Sequence, residues 1–212
     1  LAQGRRNMKK VAVLGCGYWG KNLVRNFHAL GALACVADPA PDAEARAAEL
    51  APGVSFDADV SAVLARRDID GVVIAAPAAL HAQLCQQAIR AGKDVLCEKP
   101  LALRYEDAKA VADLARQRER VLMVGHILEY HPAILKLRSL IDDGALDEIR
   151  YIYTNSLNLG KVRREENILW SFAPHDLAVI LRLMGRLPFQ LAASADEYHQ
   201  PNIADATLIQ RV

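Results

Sequence analysis

The run Val11-Ala12-Val13-Leu14-Gly15-Cys16-Gly17-Tyr18-Trp19-Gly20 constrains this chain more than any other stretch. Four apolar residues make a short strand of the kind buried on both faces, and the spacing that follows is G-x-G-x-x-G. Leu23, Phe27 and Leu30 then recur at i, i+4 and i+7, so the strand passes directly into a helix. In that setting Gly15 permits the tight turn, Gly17 lets a diphosphate approach the backbone, and Gly20 lets the helix pack closely on the strand. The N–H groups at the helix start then face phosphate charge. A second apolar strand, Leu33 to Ala37, ends at Asp38, 18 residues past Gly20, where a carboxylate accepts hydrogen bonds from ribose hydroxyls. Asp38 has no neighbouring arginine in the sequence, so a 2′-phosphate would meet an unrelieved carboxylate. The expected cofactor is therefore NAD rather than NADP.

The alternation of strand and helix continues to Gly125. Pro41 to Leu50 reads as a helix opened by proline. Val54 to Phe56 is a short strand, followed by a helix through Val63 and Leu64. Gly71 to Ala75 is a continuous apolar run, as in a parallel strand covered on both faces. Leu80, Leu84, Cys85 and Ala88 mark the next helix, and Val95 to Cys97 a strand that ends in Glu98-Lys99-Pro100. Ala108, Val111, Ala112 and Ala115 give another amphipathic helix before a sixth strand, Val121 to Val124. Six such strands predict a doubly wound α/β sheet of the Rossmann type over residues 8–125, the expected NAD-binding domain.

The pattern changes at Gly125-His126, where a hinge rather than a tether is expected. Residues 126–212 read as an α+β domain for substrate and oligomerisation, with a mainly antiparallel sheet. Its expected elements are a helix over Pro132 to Asp142 stopped by Gly144, a long strand over Ile149 to Leu157, a helix over Pro174 to Met184, and strands over Phe189 to Tyr198 and Ala206 to Val212. The last strand ends without a cap, and about 85 residues are few for such a domain, so a further C-terminal part is expected.

Lys and Arg number 26 against 25 Asp and Glu, with no charged block, which argues against nucleic acid or a membrane surface as partner. No apolar run approaches the ~18–20 residues of a membrane span. The segment Leu1 to Asn7 lacks the apolar region of a secretory signal and reads as an unstructured leader. Cys16, Cys35, Cys85 and Cys97 show no metal-ligand spacing and read as small buried residues of a reducing cytoplasm, with no metal expected.

Together, the early G-x-G-x-x-G, Ala76-Pro77 with His81 four residues on, Glu98-Lys99-Pro100 and the histidine of Pro174-His175-Asp176 give the chain a family likeness. It resembles the glucose-fructose oxidoreductase/inositol dehydrogenase (Gfo/Idh/MocA) family of NAD(P)-dependent sugar dehydrogenases over nearly its whole length. The stretch Leu157 to Asp176 looks like the branch that oxidises the C3 hydroxyl of UDP-N-acetylglucosamine to a ketone. Many relatives carry Asp four residues before the histidine, where this chain has Ser171. The resemblance implies that Tyr18, Trp19, Ala76, Pro77, His81, Glu98 and Lys99 join the three glycines and Asp38 along the cofactor. It further implies catalysis by Lys99 and His175, and pairing of subunits through the second-domain sheet into a homo-oligomer.

The residue chemistry fits those roles. Lys99 follows the fifth strand, at the carboxyl edge where open α/β sheets place ligands, and Pro100 holds its backbone extended. There an ammonium can stabilise a developing alkoxide, unless the side chain is merely solvated. His175 is the natural base near neutral pH if the expected helix start at Pro174 keeps it uncharged. Arg163 and Arg164 offer two guanidinium forks for a diphosphate, or equally stand as loop charges paired with Glu165 and Glu166. Tyr130 and Trp170 read either as walls for a uracil or sugar ring or as core. Asn158 and Asn167 are candidate ligands for hydroxyl or acetamide groups. Two alternatives stay open: the same oxidation on the C6-carboxylated sugar nucleotide, and a nucleotide-sensing relative without turnover.

Overall fold

The computed structural model describes residues 8–156, 168–190, 192–196 and 206–210. The chain divides into two compact units, Leu1–Gly125 and His126–Val212.

The first unit is built on six strands: β1 (Val11–Leu14), β2 (Leu33–Ala37), β3 (Ser55–Asp57), β4 (Gly71–Ile74), β5 (Asp94–Cys97) and β6 (Leu122–Val124). All pair in parallel, in the order β3-β2-β1-β4-β5-β6. Parallel neighbours need crossovers, and the helices α1 (Gly20–Ala29), α2 (Ala43–Leu50), α3 (Val60–Ala65), α4 (Ala78–Arg90) and α5 (Tyr105–Gln117) supply them. Side chains alternate across a strand, so the sheet carries two cores. Ala12, Leu14, Val72, Ile74, Val95 and Cys97 pack on one face with Cys85, Ala88 and Ile89 of α4 and Val111 and Ala115 of α5. Val13, Val36 and Val73 pack on the other with Val24 of α1 and Ala47 of α2. The strand order reverses direction between β1 and β4, where Leu14 lies opposite Ile74. The crevice beyond those strand ends is where a doubly wound sheet takes its ligand.

In the second unit a 3₁₀ turn, Ile127–Tyr130, precedes α6 (Pro132–Asp142), and α7 (Ile168–Met184) precedes the antiparallel pair β7 (Ala192–Asp196) and β8 (Ala206–Gln210). The imidazole Nδ1 of His131 caps α6 by accepting from the Ala133 N–H at 3.2 Å. Arg138 of α6 donates to the Arg182 and Leu183 carbonyls at 3.1 and 2.8 Å, satisfying acceptors that the last turn of α7 leaves open. Arg182 in turn pairs with Glu129 at 2.8 Å.

Two expectations for this unit fail. Residues 149–156 form no strand, and Tyr151 and Tyr153 are 84% and 77% exposed. Their β-branched and aromatic composition favours a strand, but a strand needs a hydrogen-bonding neighbour, and none of the described strands pairs with this segment. The late helix begins at Ile168, and Pro174 lies inside it rather than at its start. The apolar run through Phe172 carries the helix past a residue that ordinarily costs about 3 kcal/mol in a helix interior. His175 therefore does not meet a helix N-terminus, and that reason for its staying neutral falls. The helix buries Ser171, Ala178 and Leu183, while Leu177 and Leu181 are exposed.

No described helix is long and apolar enough to cross a membrane. Among the described residues no three His, Cys, Asp or Glu side chains gather as a metal site.

The first unit also contains a buried ammonium. Lys93, just before β5, is 6% exposed and donates to the carbonyls of Arg66 and Ile69 at 2.5 and 2.8 Å, and burial lowers its pKa from the ordinary lysine value. Replacing it by Met removes the donor from both carbonyls, and a loss of about 1–3 kcal/mol is expected as a lower thermal midpoint. An unchanged midpoint would mean that those carbonyls find other donors.

Candidate functional site: the carboxyl edge of the parallel sheet

The turn after β1 is fixed by contacts that only glycine allows. Gly15 has φ +99°, and a β-carbon there would lie 2.7 Å from the Ala75 carbonyl oxygen. A β-carbon on Gly20, the first residue of α1, would run into the carbonyl oxygen of Gly15. Gly17 differs, since nothing lies within 4 Å of the place a β-carbon would take. The open backbone at Gly17 fits the approach of a diphosphate. Helix α1 has neither a side-chain cap at Trp19 nor an acidic residue in its first turn, so its own sequence places no anion on its N-terminus. These residues fit the dinucleotide that the motif implies.

Asp38 ties the turn to the end of β2. One carboxylate oxygen accepts from the Cys16 N–H at 2.6 Å and the other from the Ala40 N–H at 2.8 Å. An arginine does stand nearby, although eight positions on. Arg46 of α2 pairs with Asp42 at 3.0 Å and stands close enough to act on the Cys16 side chain. Burial pushes the Cys16 thiol pKa up, and Arg46 opposes that shift.

On the other side of the crevice the indole N–H of Trp19 donates to Glu98 Oε1 at 2.7 Å. The Lys99 N–H donates to Glu98 Oε2 at 3.3 Å. A β-carbon on Gly125 would stand 3.1 Å from the same carboxylate, so the absence of a side chain there makes room for it. The Lys99–Pro100 peptide bond is cis. Tyr18 is 84% exposed, with the Lys21 ammonium 5.4 Å from its ring centre.

His81 is in a different position from the one expected. It is 2% exposed, and its ring nitrogens stand 2.7 Å from the Pro100 carbonyl and 2.8 Å from the Ala76 carbonyl. A neutral imidazole donates from one nitrogen only, so one of these carbonyls takes its N–H while the ring fills the space between them. Buried there, His81 joins the turn after β4 to the turn after β5 instead of lying open along the cofactor edge. Pro77 precedes α4 as its cap.

Gly15, Gly17, Tyr18, Trp19, Gly20, Asp38, Ala76, Pro77, Glu98 and Lys99 thus stand on connected turns at one edge of the sheet. In the second unit, Tyr130 is exposed at the end of the 3₁₀ turn, and Trp170 and His175 are half-buried on α7. Ser156 donates to Asp176, next to His175, at 2.8 Å. Asn158, Arg163, Arg164 and Asn167 lie outside the described residues.

Residues 9–126, more than half of the chain, match the oxidoreductase family GFO_IDH_MocA in its NAD-binding Rossmann fold. The chain belongs to that family, and its first unit is the NAD-binding fold. It is 34% identical over 187 residues to UDP-N-acetylglucosamine 3-dehydrogenase of Acidithiobacillus ferrooxidans, covering 87% of this chain and 57% of the relative. It is 31% identical over 204 residues to inositol 2-dehydrogenase of Rhizobium meliloti, covering 93% and 61%. Among solved structures it is similar to a 3-ketoreductase from Actinomadura kijaniata in complex with NADP and TDP-benzene. That match has a TM-score of 0.62 and 31% identity over 68% of this chain and 45% of that one. The chain thus spans about half the length of such relatives.

The glycine geometry makes a paired prediction. Gly15→Ala should destabilise the first unit by about 1–3 kcal/mol, the usual cost of a residue held in a sparsely populated backbone region, with more from the Ala75 contact. Gly17→Ala should move the thermal midpoint little, because its methyl meets no protein atom. It should still weaken NAD by about 1–3 kcal/mol, roughly 5- to 150-fold, as overpacking does elsewhere. Unchanged NAD affinity in Gly17→Ala, read by calorimetry, would remove the diphosphate from that backbone.

Proposed function

We propose that this chain belongs to an NAD-dependent dehydrogenase that oxidises the C3 hydroxyl of a UDP-N-acetylated hexose, UDP-N-acetylglucosamine first, to the 3-keto sugar. Lys99 carries this reading. It stands at the ligand edge of the sheet, tied to the glycine turn through Glu98 and Trp19, in a chain related over most of its length to a UDP-N-acetylglucosamine 3-dehydrogenase. The product is an intermediate of amino-sugar synthesis for surface polysaccharide or lipid.

Bound NAD supplies the hydride acceptor. The chain's own residues handle the rest. Asp38 accepts from the adenosine ribose, Gly17 and the start of α1 take the diphosphate, and Lys99 donates to the reacting oxygen as negative charge develops on it. His175 shares the hydroxyl proton with Lys99, its basicity set by its surroundings within α7 rather than by a helix terminus. Arg163 and Arg164 grip the substrate diphosphate, Asn158 and Asn167 bind its hydroxyl or acetamide groups, and Tyr130 and Trp170 wall its rings. The protein works in the cytoplasm as a homo-oligomer paired through the second unit's sheet.

Inositol 2-dehydrogenase sets the competing reading, a polyol without a nucleotide. Incubation with NAD and a panel of UDP-N-acetylglucosamine, its C6-carboxylated counterpart and myo-inositol, with a ketone trap, separates these by NADH absorbance. Turnover of inositol alone would overturn the sugar-nucleotide reading, and the absence of turnover with NAD bound would favour a nucleotide sensor. Lys99→Ala and His175→Ala should each lower kcat by about 10²–10⁴ with little change in NAD affinity. The double variant should lose much less than the product of the two single losses, because both residues serve one proton.

A further inference from the structure

Glu98 is the point where the glycine turn meets the lysine. Its two carboxylate oxygens accept from two donors that are far apart in sequence. Oε1 takes the Trp19 indole N–H at 2.7 Å, and Oε2 takes the Lys99 backbone N–H at 3.3 Å. Gly125 leaves room for the carboxylate, and a β-carbon there would press on it at 3.1 Å. The following residue, Pro100, is held through its carbonyl by buried His81. The Lys99 main chain is therefore bounded by two attachments. The His81 attachment is internal to the sheet edge, while the Glu98 attachment leads to the turn that receives the diphosphate.

We infer that Glu98 is a positioning residue that couples occupancy of the glycine turn to the placement of Lys99, with the Trp19 indole as the link. This rests on the reading that the glycine turn binds the dinucleotide. A diphosphate on the turn orders residues 15–20, including Trp19. The indole N–H can then hold Glu98 in one orientation, and the second oxygen fixes the Lys99 amide. Without occupancy the indole, 41% exposed, has freedom to leave, and the carboxylate turns with it. The device makes the lysine ready only when cofactor is in place.

Both halves of the link can be cut by conservative changes. Trp19→Phe keeps an aromatic ring and removes the N–H. Glu98→Gln keeps the outline but replaces one acceptor oxygen by an NH2 group, so one of the two donors must meet a donor. Removing the indole N–H relieves that conflict, so Glu98→Gln should cost less affinity for adenosine diphosphate in the Trp19→Phe background than in the unmodified chain.

The decisive measurement follows the lysine side chains by reductive methylation with ¹³C and NMR, assigning Lys99 by Lys99→Arg and Lys21 by Lys21→Arg. The probe is adenosine diphosphate, which fills the turn and has no nicotinamide to touch Lys99. Lys21, on the first turn of α1 over the Tyr18 ring, reports occupancy directly. Saturating nucleotide should shift both signals in the unmodified chain, and Lys21 alone in Trp19→Phe and in Glu98→Gln. A Lys99 shift that survives in both variants would overturn the coupling. So would a Lys99 signal that stays still in the unmodified chain while Lys21 moves. If Lys21 itself does not move in the unmodified chain, the nucleotide reading of the turn fails, and the coupling fails with it.

Discussion

The carbonyl of Ala75 lies where a β-carbon on Gly15 would have to go, and the carbonyl of Gly15 lies where one on Gly20 would go. This stack of three backbone segments at the reversal of strand order fixes the distance between the turns after β1 and β4. The other features of the site depend on that distance. It brings Cys16 N–H to Asp38 and Trp19 to Glu98, and it leaves the backbone at Gly17 open. A sheet packed with apolar side chains on both faces resists bending, so the edge it presents is rigid.

On that edge, open backbone and side chains that join one turn to another play different parts. Gly17 is open, whereas Glu98 and His81 each bridge two turns that the chain order keeps far apart. His81 illustrates the difference: a histidine at a cofactor edge suggests a ligand, yet this one is buried between two carbonyls of neighbouring turns. The family relationship agrees with this arrangement at the level of the fold and the oxidoreductase class.

The parallel strands were legible because each is a short apolar run closed by a turn residue, and both faces of such a strand select the same residue types. Helix α6 was legible from Pro132 to Asp142 because proline and Gly144 mark its ends. What local pattern missed depended on neighbours. Tyr151 and Tyr153 favour a strand only where another strand accepts them. Pro174 reads as a helix start until the apolar run from Ile168 is seen to continue through it. The contact between Trp19 and Glu98 spans 79 residues and leaves no mark in either local sequence. Arg46 escaped notice for the same reason, since a helix, rather than adjacency, brings it to Cys16.

All four cysteines, Cys16, Cys35, Cys85 and Cys97, are unbridged and buried, and all belong to the first unit. Burial raises the Cys16 pKa, and the neighbouring Cys85 thiol together with burial raises that of Cys97, so neither offers thiolate to a reagent at neutral pH. The chain thereby carries a built-in clock. Each alkylated thiol records an excursion in which the parallel sheet came apart, and motion confined to the second unit leaves no label. The rate of labelling, with and without nucleotide, measures how firmly a bound ligand keeps the sheet closed.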